Sequence, residues 1–212
     1  GNEAMSRAYT LDVKAATQAG VSNHITETGK YIGRFTAAVA KVSQQETEGI
    51  EFTFVEDDGR VANFLNTWTY KANGETLSGL KILSAIMACL RLREVKPVPG
   101  TYTKWDGTQA RGDVFAELIG KPIGLLLQKE LTTKKDGQDS YSFNIVAPFD
   151  AESELTAGEI LSRATRPEQL AKMVATLSDR DSRGKGRNGN GKSNGGRSDY
   201  DESSWSRGED EI

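Results

Sequence analysis

The side chains best suited to chemistry in this sequence are flat and cationic rather than nucleophilic. Phe64, Trp68 and Tyr70 recur at i, i+4 and i+6 in the run RVANFLNTWTYK, and Lys71 follows them. Side chains an even number of residues apart share a face of an extended strand, so these rings are expected to form one row. A second segment, TYTKWDGTQAR, interleaves Tyr102, Lys104, Trp105 and Arg111. Rings stack on bases and cations neutralise phosphates, and single-stranded nucleic acid is held by that combination. Arg34 and Lys41 on an alternating stretch, and Lys134 and Lys135 in a turn, extend the cationic set. The ring row would equally fill a core if its face pointed inward. Asn66 interrupts it and Val61 and Leu65 start the opposite face, so both orientations stay open at this stage.

Catalytic groups are sparse. His24 is the only histidine, and no CxxC or His/Cys cluster has metal-ligand spacing. Asp150, Glu152, Glu154 and Glu159 lie close in sequence, and a solvated helix entry explains them more simply than a nuclease centre. Two glycine patterns, GRNGNGKS at 186–193 and GKGRNG at 184–189, match phosphate-loop spacings. Neither is flanked by the strand and helix that such a loop needs to aim its amides. No cofactor, metal or enzymatic activity is expected. Cys89, the only cysteine, sits in an apolar helical run and reads as a small buried hydrophobe.

The elements that must hold these side chains follow from periodicity. Alternation predicts strands over 30–42, 50–56 and 60–71, with Asp57-Asp58-Gly59 as a hairpin turn and Asn73-Gly74 as a stop. Leu80, Leu83, Ile86, Met87 and Leu90 then take helical spacing over 78–92. The stretch 95–112 reads as a Pro/Gly-rich connection, followed by a short helix at 114–119. Strands are expected at 122–131 and 140–147, around the turn Lys134-Lys135-Asp136-Gly137, and helices at 156–163 and 167–178. Three strands, a helix and two more strands is the order of a five-stranded OB-type barrel, a mainly β fold with extra C-terminal helices. The expected division is a cloning remnant and irregular arm over 1–29, a nucleic-acid-binding domain over 30–179, and a tail over 180–212.

The tail is built from two charge blocks. Residues 180–198 are rich in Gly, Asn and Ser with six basic residues and one acidic; residues 199–212 hold six acids and one arginine. Neither has enough apolar surface to offset chain entropy, so both are expected to be disordered. The acidic tip, with Trp205 and the terminal run Glu209-Asp210-Glu211-Ile212, is suited to dock on a basic, hydrophobic-floored pocket of a partner protein. The net charge of the chain is −3, so any nucleic-acid site must come from local clustering.

The runs GKYIGRFTAAVAKV, IEFTFVEDDGRV, LSGLKILSAIMACLRL, GKPIGLLLQKEL and YSFNIVAPF, with the low-complexity linker and acidic tip, resemble a phage-encoded single-stranded-DNA-binding protein of the OB fold. The tail arrangement is similar to that of bacterial single-strand-binding proteins, whose tip ends in Pro-Phe where this chain ends Glu211-Ile212. The resemblance implies sequence-non-specific, salt-sensitive binding during phage DNA replication or recombination, with the tail loosening binding and recruiting replication or recombination enzymes. It also implies a soluble protein of the host cytoplasm with no membrane contact. A protein-interaction module, an RNA-binding chaperone and a metal-dependent nuclease using Glu152 or Glu159 are the other readings the residues allow.

Overall fold

Gly33 explains the path of the first strand. In the computed structural model, which describes residues 7–184, β1 (Gly29–Val42) is 14 residues long and serves two sheet halves. A Cβ on Gly33 would lie 2.0 Å from the Val55 carbonyl oxygen, so only glycine lets the strands cross this closely. A register shift between Phe35 and Ala37 adds a bulge just beyond, and bulges bend and twist the strand that carries them. Before the bend, residues 29–34 pair with residues 122–127 of β6 (Pro122–Thr133). Residues 33–42 pair with β2 (Glu48–Glu56), so Gly33 and Arg34 are flanked on both sides, and β2 pairs in turn with β3 (Val61–Tyr70).

The remaining elements attach to this frame. α1 (Val13–Gln18) lies in the N-terminal arm, and α2 (Gly79–Cys89) follows β3. β4 (Val98–Thr103) and β5 (Gln109–Val114) form an antiparallel hairpin, joined to β1 through Val39 and Val114. A 3-10 turn at Ala116–Leu118 leads to β6, which pairs along its length with β7 (Asp139–Phe149). α3 (Ala157–Leu161), α4 (Gln169–Thr176) and the two-residue β8 (Arg180–Asp181) complete the described chain. The fold is therefore mainly β with a few helices, and its strands form one eight-stranded sheet.

Three expectations are corrected. Residues 95–112 are not an irregular connection, because they contain the β4–β5 hairpin. The sheet does not close into a barrel: β3 and β7 approach each other without a backbone ladder. The tail does not begin at 180. Arg180 and Asp181 pair parallel with Glu130 and Leu131, and Arg183 bonds Asp139 at 3.0 Å. Glu130, 7% exposed, anchors this strap by accepting from the Ser182 hydroxyl and the Asn144 amide.

Four tight turns share one construction: residues 56–60, 71–75, 104–108 and 134–138. In each, the fourth residue is a glycine with φ between 82° and 97°. Its amide donates to the carbonyl of the first residue, at 2.8–3.0 Å. The Asp or Asn before it (Asp58, Asn73, Asp106, Asp136) accepts from the fifth residue's amide at 2.9–3.0 Å. A type I turn closed by a left-handed glycine suits a three-residue hairpin loop, and the carboxylate or amide side chain reinforces it.

One face of the sheet is the core. Phe35, Phe52, Phe54, Leu65, Ile123, Leu125 and Leu127 are fully buried there, and the Phe35 ring lies 4.4 Å from that of Phe52. α2 closes it with Ile86, Cys89 and Leu90. The other face is covered in two places. α4 lays Leu170, Met173 and Leu177 over Leu126 and Phe149, and the β4–β5 hairpin sets Tyr102 and Val114 over Ala37 and Val39.

Gly33→Ala is expected to cost about 1–3 kcal/mol or more in urea denaturation, because its contact is rigid backbone. Gly107→Ala, in open space at φ +83°, should cost only about 1–2 kcal/mol.

Candidate nucleic-acid interface

Register decides which side chains can meet a ligand. Ile50 faces Thr67 and Phe52 faces Leu65 across β2 and β3, and all four are buried. Alternation therefore puts Glu51, Thr53, Asn66 and Trp68 on the outer face. On β1, Arg34, Ala37, Val39 and Lys41 share that face, since their neighbours Phe35, Ala38 and Tyr31 fill the core. Lys41, Gly49 and Trp68 form one row across three strands.

Within this row the structure revises the sequence reading. Trp68 is on the outer face, yet it is only 8% exposed. Its ring lies across Gly49, with Cε3 2.7 Å from the position a Gly49 Cβ would take. The start of α2 sits on its backbone, where Gly79 leaves no room for a side chain. At 8% exposure the residue leaves little ring surface for a base, so Trp68 acts as packing. Tyr70 is 37% exposed at the end of β3 and lines a shallow groove with Val42, Glu46, Glu48, Lys71, Ala72 and Gly74. Lys71 pairs with Glu75 at 3.2 Å across its own turn.

The β4–β5 hairpin borders the outer face with the most accessible candidate residues. Tyr102 is half-buried against Val39, and the Lys41 ammonium stands 5.9 Å from its ring centroid. Lys41 also meets Glu51 at 3.7 Å. At the hairpin tip, Trp105 is 54% exposed beside Lys104. Asp106 is engaged within the turn: the Thr108 hydroxyl donates to it at 2.6 Å, and that bond with the Thr108 amide holds its carboxyl below the usual range. Arg111, opposite Thr101 on β5, is exposed. Among the described residues Arg34, Lys104, Arg111, Lys134 and Lys135 enter none of the ion pairs.

Lys134 and Lys135 crown a different hairpin, β6–β7. That arm carries two residues the sequence did not single out. The Lys129 ammonium lies 4.6 Å from the Tyr141 centroid, and Tyr141 meets Phe143 edge-on at 5.9 Å. A third overlooked feature is the backbone of Phe64, which has φ +56°. The proposed tail-docking residues Trp205, Glu209, Asp210, Glu211 and Ile212 lie outside the described residues, as do the two glycine-pattern matches from residue 185 onward.

The acidic run is spent on local structure. Asp150 accepts from the Ser153 amide and hydroxyl, and Glu154 pairs with Lys30 at 2.7 Å. Glu159 closes a capping box with Thr156 and accepts from the amides of Glu168 and Gln169. These backbone bonds, with that of Glu168 foremost, lower its pKa. Among the described residues no three His, Cys, Asp or Glu converge as metal ligands. Burial pushes the Cys89 thiol up to about 12, so its nucleophilic form is scarce at neutral pH. No helix of the described residues is long and apolar enough to cross a membrane.

Set against known proteins, the chain matches no family model and no curated protein sequence.

Trp68→Ala should cost about 3–5 kcal/mol of fold stability, read by thermal and urea unfolding, as expected for a large buried ring. Glu159→Gln should lower the melting temperature at pH 7 but much less at pH 3. The native pKa of Glu159 is depressed, so its contribution is present above the unfolded carboxyl pKa and is lost as pH falls through the native one.

Proposed function

We propose that this chain binds single-stranded nucleic acid, DNA in the first instance, without sequence preference. The proposed path runs over the outer face of β1–β3 and against the β4–β5 hairpin. Bases would stack on exposed rings, and Lys104, Arg111, Lys41 and Arg34 would neutralise phosphates. We also read β1, β2, β3, β6 and β7, with α2 after the third, as an OB-type barrel left open between β3 and β7. On the resemblance described above, the activity belongs to phage DNA replication and recombination in the host cytoplasm. The acidic tip would recruit partner enzymes and compete with DNA for the cationic surface.

The observation that carries this reading is Trp105. A tryptophan 54% exposed at a hairpin tip contributes little to a core. It lies between Lys104 and Asp106, whose carboxylate is held by Thr108, and Arg111 stands exposed on the same hairpin. Aromatic and cationic groups on a protruding hairpin suit a flexible, charged strand with exposed π-faces.

Labelled oligo-dT should bind the full chain in preference to duplex, and its affinity should fall as salt rises. Trp105→Ala should lose about 1–3 kcal/mol of binding while melting at the wild-type temperature. Equal affinity for duplex and single strand, or a fully active Trp105→Ala, would refute the site. Removing Asp199–Ile212 should tighten binding, most at low salt, where screening is weakest; unchanged affinity would remove the competition role of the tip.

A further inference from the structure

Phe64 occupies a backbone conformation that a bulky side chain rarely adopts. Its φ is +56°, in the left-handed region. Among non-glycine residues that region favours Asn and Asp, and for a large side chain it is an outlier. The cause is visible in the register. Phe54 faces Ala62 and Phe52 faces Leu65, so β3 spends two residues, Asn63 and Phe64, opposite the single residue Thr53. Ala62 and Leu65 both point into the core, at 4% and 0% exposure. Asn63 and Phe64 are therefore the residues turned to the outer face, and Phe64 is 37% exposed there.

Neither core packing nor turn formation calls for a phenylalanine at this point. A bulge needs only a residue that tolerates the backbone, and Asn63 next door is of the type that does. Bulges re-aim side chains beside binding sites, and unfavourable backbone geometry persists where the surroundings impose it and function uses it. On the outer face, the row of Thr53 continues across β1 to Ala37, the residue on which the β4–β5 hairpin packs through Tyr102. Phe64 thus lies on the open part of the face, past the strip that Tyr102 covers.

We propose that Phe64 is the base-stacking platform of the sheet surface, the role that the buried Trp68 is unable to fill. Its ligand is one base of a single strand crossing β3, beside the amide side chains of Asn63 and Asn66. This inference rests on the single-strand-binding reading above and adds to it the ring on which the sheet holds a base. The bulge fixes the ring's position, so stacking orders little extra chain.

The test uses the full chain and fluorescent oligo-dT at low salt. Phe64→Leu keeps bulk and apolarity without a π-face; it should melt like wild type and bind about 5- to 100-fold more weakly. Phe64→Tyr should retain wild-type affinity. Phe64→Asn, whose side chain suits the left-handed backbone, gives a second folded variant that should be as weak as Phe64→Leu. Wild-type affinity in Phe64→Leu or Phe64→Asn overturns the assignment. If wild type binds oligo-dT and these variants do too, only Phe64 is misassigned; if wild type itself does not bind, the functional reading fails with it.

Discussion

Everything in this fold hangs on the close crossing at Gly33. One strand, β1, ladders with β6 over residues 29–34 and with β2 over residues 33–42, so it has to turn within a few residues. The absent side chain and the bulge at Phe35–Ala37 permit that turn. Backbone groups left unpaired by the turn are picked up elsewhere. The Phe35 carbonyl accepts from Gly120, and the Ala38 carbonyl from Phe115, both at 2.9 Å. Buried amides and carbonyls must find partners, so the segment after β5 is tied to β1 by this requirement.

The bend also partitions the outer face. The half carrying Ile32, Leu126 and Phe149 is apolar and takes α4 as its cover. The half carrying Ala37, Val39 and Lys41 is small and mixed, and a hairpin covers only its edge. What remains open is a strip of β2 and β3 lined by Thr53, Asn66 and Phe64, with polar and aromatic character. The proposed ligand path follows that strip. Its charge is nearly balanced: Glu51 offsets Lys41, and along the hairpin Asp106 and Asp113 match Lys104 and Arg111 in number. Affinity by this route would rest on stacking at least as much as on counterion release.

Much of the scaffold was legible in the sequence because alternation and helical spacing are strong signals over long segments. Strands at 30–42, 122–131 and 140–147 and the helix from Ser78 were read within a few residues of their observed positions. The β4–β5 hairpin was missed although its turn, Lys-Trp-Asp-Gly-Thr, has the construction of Lys-Lys-Asp-Gly-Gln, which was recognised. Pro97, Pro99 and Gly100 suggested irregular chain, while β4 tolerates Pro99 because its outer edge pairs with no named strand. The face of the Trp68 ring row stayed open in the sequence, because burial there depends on neighbours such as Gly49 that only tertiary contact reveals. Phe64 fell into the same row because period-2 counting does not register a bulge. The strap at 180–184 escaped notice since two residues of parallel pairing carry no compositional signal.

The central claim is positional: a single strand lies over the open strip of β2–β3 and against the β4–β5 hairpin. The most direct measurement is photocrosslinking of an oligonucleotide carrying halogenated pyrimidines to the full chain, with adducts located by mass spectrometry. The account predicts adducts at Trp105 and Phe64, lost when unlabelled single strand competes and kept when duplex competes. Adducts confined to residues beyond Gly184, or to the α4-covered face, would contradict it.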